Sequence, residues 1–192
     1  MDPRPVPVCL HNAALLLVDW QLFFVSPASP AFLSEAVKAE GAVRALVDAF
    51  LSTGRRVIAT RHGHPRGERG PFLDFYGRLL YSEDPLSKLA LFLRERESIR
   101  TVPKRTYSVF ASSDLATDLR TEGITALVLA GLQTDRCVAA NALAAFDLGL
   151  SVVVAADACA ARTCERHLAA LRLLEWSCAT IASTGQIIEA LS

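Results

Sequence analysis

Apolar residues fall along the chain in two rhythms. Short apolar runs at residues 13–18, 56–60, 99–102, 126–130, 151–155 and 178–182 have the length and composition of buried strands. Between them lie stripes at helical spacing. From Ser34 to Thr53 the apolar positions are Val37, Ala39, Ala42, Val43, Leu46, Val47 and Phe50, and Gly54 closes the helix. Further helices are predicted from Ser112 or Ser113 to Thr121, from Ala139 to Leu148, from a Thr163 cap to about Glu175, and from Thr184 to Ala190. Pro103 is expected to stop the third strand, and Gly131 to end the fourth.

Less regular stretches separate these elements. Residues 1–12 read as a Pro-rich extended arm, and residues 26–30 and 66–70 as loops. Residues 71–98 read as a loop-rich excursion with short helical pieces near Phe72–Leu80 and Ser87–Arg94, able to line a site. Strands alternating with helices predict right-handed βαβ units, an α/β fold and a six-stranded parallel sheet covered on both faces.

Composition narrows the picture. A chain of 192 residues is expected to form one domain, residues 1–192, and its 52% hydrophobic content suits a covered sheet or an apolar subunit interface. Lys plus Arg equals Asp plus Glu at 20 each, so no global field draws nucleic acid or an anionic membrane. No run is long enough to span a bilayer, and the first apolar run is too short for a signal peptide. The five cysteines (Cys9, Cys137, Cys159, Cys164, Cys178) lack metal-ligand spacing, which suits free thiols and a cytoplasmic location.

Chemistry concentrates where strands end, because ligands of such sheets bind at the carboxyl edge. Asp19 follows the first run, His62 and His64 the second, Lys104 the third, and Cys137 lies past the fourth. With Thr134 as N-cap, Cys137 falls in a first helical turn, where free N–H groups and the helix dipole would lower its pKa. A small apolar filler is the competing role for Cys137, and a turn cap the competing role for Asp19. A thiol nucleophile needs a proton acceptor, and none of the histidines (His11, His62, His64, His167) has an obvious Asn or Asp partner. Asp19 can take and return the proton, Lys104 can hold the thiolate, and backbone N–H groups before Cys137 can form an oxyanion hole.

Three blocks carry a family resemblance. Val18-Asp19-Trp20-Gln21, Lys104 to Phe110 and Gly131 to Val138 resemble, in order and spacing, the blocks of the isochorismatase-like cysteine hydrolases. Asp157-Ala158-Cys159-Ala160 and His167 are similar to that family's C-terminal portion. The resemblance implies a three-layer α/β/α sandwich, an Asp19–Lys104–Cys137 triad and a cis peptide before Gln133. It also implies that the N–H groups of Gln133 and Cys137 face the substrate oxygen. Many members carry Ala where this chain has Gln133.

The implied reaction is cleavage of a C–N bond in a small amide or ureide through a thioester. Two alternatives stay open: vinyl ether hydrolysis, which needs the acid and not the thiol, and a non-catalytic small-anion binder or thiol sensor. Gln21, Phe24, His64 and Tyr107 are expected at the pocket, and Arg61, Arg66, Arg69 or Arg105 could clamp a substrate carboxylate. No cofactor is expected. No metal is expected either, because nicotinamidases use an Asp-x-His pair and a later His where this chain has His62-Gly63-His64. The partners foreseen are a small-molecule substrate and other copies of the chain, in a dimer or tetramer.

Overall fold

Alternate residues of the apolar strands face opposite layers, and that alternation divides the interior into two cores. In the computed structural model, which describes residues 9–191, six strands form one all-parallel sheet in the order β3-β2-β1-β4-β5-β6. The strands are β1 (Ala13–Val18), β2 (Val57–His62), β3 (Arg100–Lys104), β4 (Ala126–Leu132), β5 (Ser151–Ala160) and β6 (Ala179–Ala182). β1 and β4 are buried along their whole lengths at the centre.

Leu15 and Leu17 of β1, with Val128 and Ala130 of β4, pack under Val43, Leu46, Val47 and Phe50 of the helix Ser34–Ser52 and under Ile187 of the helix Thr184–Leu191. Leu16 and Val18, with Leu127 and Leu129, pack under Leu115, Ala142 and Leu174 of the helices Leu115–Thr121, Ala139–Asp147 and Cys164–Ser177. The helices are α1 (Leu22–Val25), α2 (Ser34–Ser52), α3 (Pro71–Tyr76), α4 (Leu91–Arg94), α5 (Leu115–Thr121), α6 (Ala139–Asp147), α7 (Cys164–Ser177) and α8 (Thr184–Leu191). Helices thus cover both faces, the three-layer α/β/α arrangement. Each fully buried Leu or Val of these strands contributes roughly 1.5–3 kcal/mol by leaving water.

Two strand ends differ from expectation. β3 runs through Pro103 to Lys104, paired residue for residue with Arg61 and His62 of β2. It is an edge strand, where a residue without an N–H can stand on the outward side. β4 does not stop at Gly131 but continues to Leu132, with Val18 beside Gly131. There Gly131 has φ +119°, and a Cβ on it would lie 2.2 Å from the Val18 carbonyl oxygen. Only glycine lets the two central strands approach this closely at their carboxyl ends.

The excursion is less helical than foreseen: α3 ends at Tyr76 and α4 begins only at Leu91. Thr163 caps α7 by accepting the Arg166 N–H, and Asp157 accepts both N–H and O–H from Thr184 at the start of α8. The extended arm expected at residues 1–12 lies, up to residue 8, outside the described residues. Among the described residues no helix is long and apolar enough to cross a membrane.

Candidate active site

The carboxyl edge of β1, β2, β3 and β4 gathers the polar residues that the apolar runs deliver there. Asp19 follows β1 with φ 49°, the left-handed region that Asp tolerates better than most residues. Its N–H donates to Thr60 Oγ1 at 3.0 Å, and that hydroxyl donates to Asp19 Oδ1 at 2.6 Å. Thr60, on neighbouring β2, therefore holds the acid by both its main chain and its side chain. Sequence reasoning missed it because a Thr inside an apolar run looks like any β-branched strand residue.

Lys104 closes β3 and reaches across β2 towards β1. Its Nζ is 2.8 Å from Asp19 Oδ2, 3.4 Å from Cys137 Sγ and 2.9 Å from the Thr106 carbonyl oxygen. An ammonium has three N–H donors, and this one faces three acceptors. Burial works against the Lys104 charge, yet Asp19 and then Cys137 outweigh it and raise its pKa. Asp19 Oδ2 touches the ammonium without accepting an aligned hydrogen bond. Buried ion pairs are a weak source of stability, so a pair with no exposed side-chain surface on either partner points to chemistry.

Cys137 does not sit at the third position of an ordinary helix. Thr134–Val138 form one wide π-type turn, and Thr134 caps nothing; its hydroxyl pairs with His167 Nδ1 at 2.8 Å. Arg136 and Val138 both donate to the Gln133 carbonyl at 3.1 Å, while the Cys137 N–H between them makes no bond to it. The Leu132–Gln133 peptide is cis. Asn141 braces the turn: its Nδ2 donates to the Cys137 and Tyr107 carbonyls at 2.7 and 3.2 Å, and its Oδ1 accepts from Val109 N at 2.9 Å.

The expectation of a lowered thiol pKa is overturned. Burial pushes the Cys137 thiol well up, the Asp19 carboxylate adds to that, and Lys104 opposes it. The unfavourable solvation of a buried thiolate exceeds what the start of a turn offers it. The sulfur therefore carries its proton until something removes it.

A cavity of about 210 Å³ opens over Asp19 and Cys137. Phe24, His64 and Tyr107 line it, as do Gln133 and three residues that sequence reasoning did not single out, Arg78, Arg136 and Arg162. Gln21 does not line it. That side chain is fully buried, donating to the His62 and Ser87 carbonyls at 2.8 and 2.7 Å and accepting from His62 N at 2.9 Å, so it staples loops behind the site. The arginines expected as clamps are also elsewhere, with Arg66 paired to Glu83 and Arg105 3.9 Å from Glu68.

His62 and His64 face each other with their Nε2 atoms 3.2 Å apart, one donating to the other. Burial lowers the His62 pKa to about 4; Asp19 opposes the shift, and Lys104 and His64 add to it. Glu68 approaches His64 on its Nδ1 side, at 3.3 Å, away from His62. The two rings thus converge on one another and share no third ligand. Among the described residues no group of three or more His, Cys, Asp or Glu is placed to hold a metal ion.

An all-parallel doubly wound sheet, with a buried thiol, ammonium and carboxylate gathered at its carboxyl edge, defines a protein of the α/β class. Residues 13–186 match the isochorismatase domain, and the chain belongs to the isochorismatase family of hydrolases. It is 35% identical over 88 residues to YecD, an uncharacterized isochorismatase family protein of Escherichia coli O157:H7, a match spanning 46% of this chain and 47% of that one. A probable inactive nicotinamidase of Arabidopsis thaliana is 29% identical over 171 residues, covering 83% of this chain and 86% of the relative. N-carbamoylsarcosine amidase of Thermoplasma acidophilum superposes with a TM-score of 0.79 at 27% identity, covering 90% of this chain and 96% of that one.

Proposed function

We propose that the protein hydrolyses a C–N bond of a small amide or ureide, with Cys137 as nucleophile, Asp19 as proton carrier and Lys104 as electrostatic support. One observation carries this: a single buried ammonium lies 2.8 Å from the Asp19 carboxylate and 3.4 Å from the Cys137 sulfur, and those two residues line a cavity. The amidase among the structural neighbours supports the reaction class.

In the proposed reaction, Asp19 takes the thiol proton as sulfur bonds to the carbonyl carbon. The carbonyl oxygen gains charge and is held by the N–H groups of Gln133 and Cys137, each such donor contributing about 3 kcal/mol in comparable sites. Asp19 returns the proton to nitrogen, the C–N bond breaks, and a thioester remains. Water then attacks; Asp19 accepts its proton, the C–S bond breaks, and the thiol is reprotonated. A thiol with a raised pKa fits this cycle, because its proton leaves only when the sulfur is bonding to carbon. Lys104 limits the charge that develops on sulfur as the proton leaves it.

The test is ammonia release across a panel of small amides and ureides, together with mass spectrometry of the protein. The expected result is a covalent acyl adduct on Cys137 and a loss of turnover on the order of 10³-fold or more in Cys137→Ala. No ammonia from any amide or ureide, with hydrolysis of a vinyl ether that survives Cys137→Ala and is lost in Asp19→Ala, would instead assign vinyl ether hydrolysis.

A further inference from the structure

The rim of the cavity carries positive charge that the chemistry at its floor does not use. Arg78, just past α3, Arg136, next to the nucleophile, and Arg162, between β5 and α7, come from three separated segments and line one cavity. None of them lies within 4.0 Å of a carboxylate among the described residues. Elsewhere Arg44, Arg56, Arg96 and Arg100 each reach one. Among the described residues the one acidic side chain lining the cavity is Asp19, which Lys104 already matches. A chain with no net charge thus places an uncompensated cationic rim around its candidate site.

A second observation comes from Gln133. The residue is 7% exposed and lines the same cavity, and its Oε1 is buried without a hydrogen-bond partner. A buried amide oxygen left alone costs about 1–3 kcal/mol, which an N–H from a bound molecule removes. The cavity therefore presents three features to a ligand: a thiol for a carbonyl carbon, an acceptor for an N–H, and guanidinium groups for an anion.

We infer that the substrate is a small amide or ureide bearing a carboxylate, which Arg136 and Arg162, with Arg78 beside them, hold at the rim while its N–H meets Gln133 Oε1. This rests on the hydrolase function proposed above and adds the substrate class. Guanidinium suits the task because its planar fork matches a carboxylate with two parallel hydrogen bonds. Arg136 is already placed, its Cζ 5.3 Å from the centre of the Tyr76 ring. At about 210 Å³ the cavity is smaller than the roughly 300 Å³ of small drug-type pockets, so the spacer between carbonyl and carboxylate is short.

The experiment compares matched pairs of nearly equal shape: succinamate against succinamide, and N-carbamoylglycine against N-carbamoylglycinamide. The expected kcat/KM is at least tenfold higher for the charged member, through KM, and the ratio falls towards one in the Arg136→Gln/Arg162→Gln double variant. Calorimetry on Cys137→Ala protein separates binding from turnover, and there the charged member should bind at least tenfold more tightly than the neutral one. Equal binding, or binding of neither, overturns the carboxylate assignment. Turnover of both members at equal rates also overturns it and leaves the hydrolase function standing. Tight binding of the charged members with no turnover of any compound keeps the anion site and removes the proposed hydrolysis.

Discussion

Two kinds of cation serve one cavity, and their circumstances are opposite. Beneath the floor formed by Asp19 and Cys137, Lys104 is buried and faces three acceptors. At the rim, Arg78 and Arg162 are exposed and Arg136 half-buried, and none has a carboxylate partner among the described residues. A charge held on every side has a fixed position and cannot turn to a new partner. A charge left unpaired in water can turn to one at little cost. In the proposed function the floor makes bonds and the rim selects, and substitutions at the two should behave differently.

The sharpest way to break that contrast is Lys104→Met. It strands the Asp19 carboxylate without compensation and should cost about 3–5 kcal/mol of folding free energy, read from denaturant melts. A variant as stable as the parent would mean that the floor is not a tightly coupled pair. A pH series follows in size. His62 titrates near 6.5 in the unfolded chain and only about 4 in the folded one, so between these values the unfolded state binds more protons. Stability should fall as pH drops from 6.5 towards 4, and His62→Phe should remove that part of the slope; an unchanged Tm profile would count against a buried neutral ring.

Thr60→Val tests the seat of the acid. It keeps the shape and deletes one acceptor and one donor, for an expected loss of about 1–3 kcal/mol. Arg136→Gln anchors the small end of the scale: stability within about 0.5 kcal/mol of the parent, with the change appearing in KM. A large loss of stability there would make the rim part of the scaffold.

Much of this arrangement was legible before the structure, for identifiable reasons. The sheet could be read because Ala13 to Val18 and Ala126 to Ala130 are apolar on both faces, as central parallel strands must be. The convergence of Asp19, Lys104 and Cys137 followed from their places after strands. Pro103 misled, because nothing local in a sequence tells an edge strand from a terminated one. Gly131 misled for the opposite reason: what it accommodates is the backbone of Val18, far away along the chain. The thiol of Cys137 was expected to shift down because a helix start is visible in sequence, whereas burial against Asp19 is not. The rim was missed entirely, since Arg78, Arg136 and Arg162 share no local pattern and meet only through the fold.

The contact at Gly131 has a consequence for how this protein tolerates change. The strand before the acid and the strand before the thiol are separated by a distance that one absent methyl group sets. Helices on either layer can be recut and loops lengthened without touching that spacing. A single added carbon at position 131 would wedge the two strands apart and draw Asp19 and Cys137 out of register. The tolerance of the site is therefore narrowest at a residue that carries no chemistry.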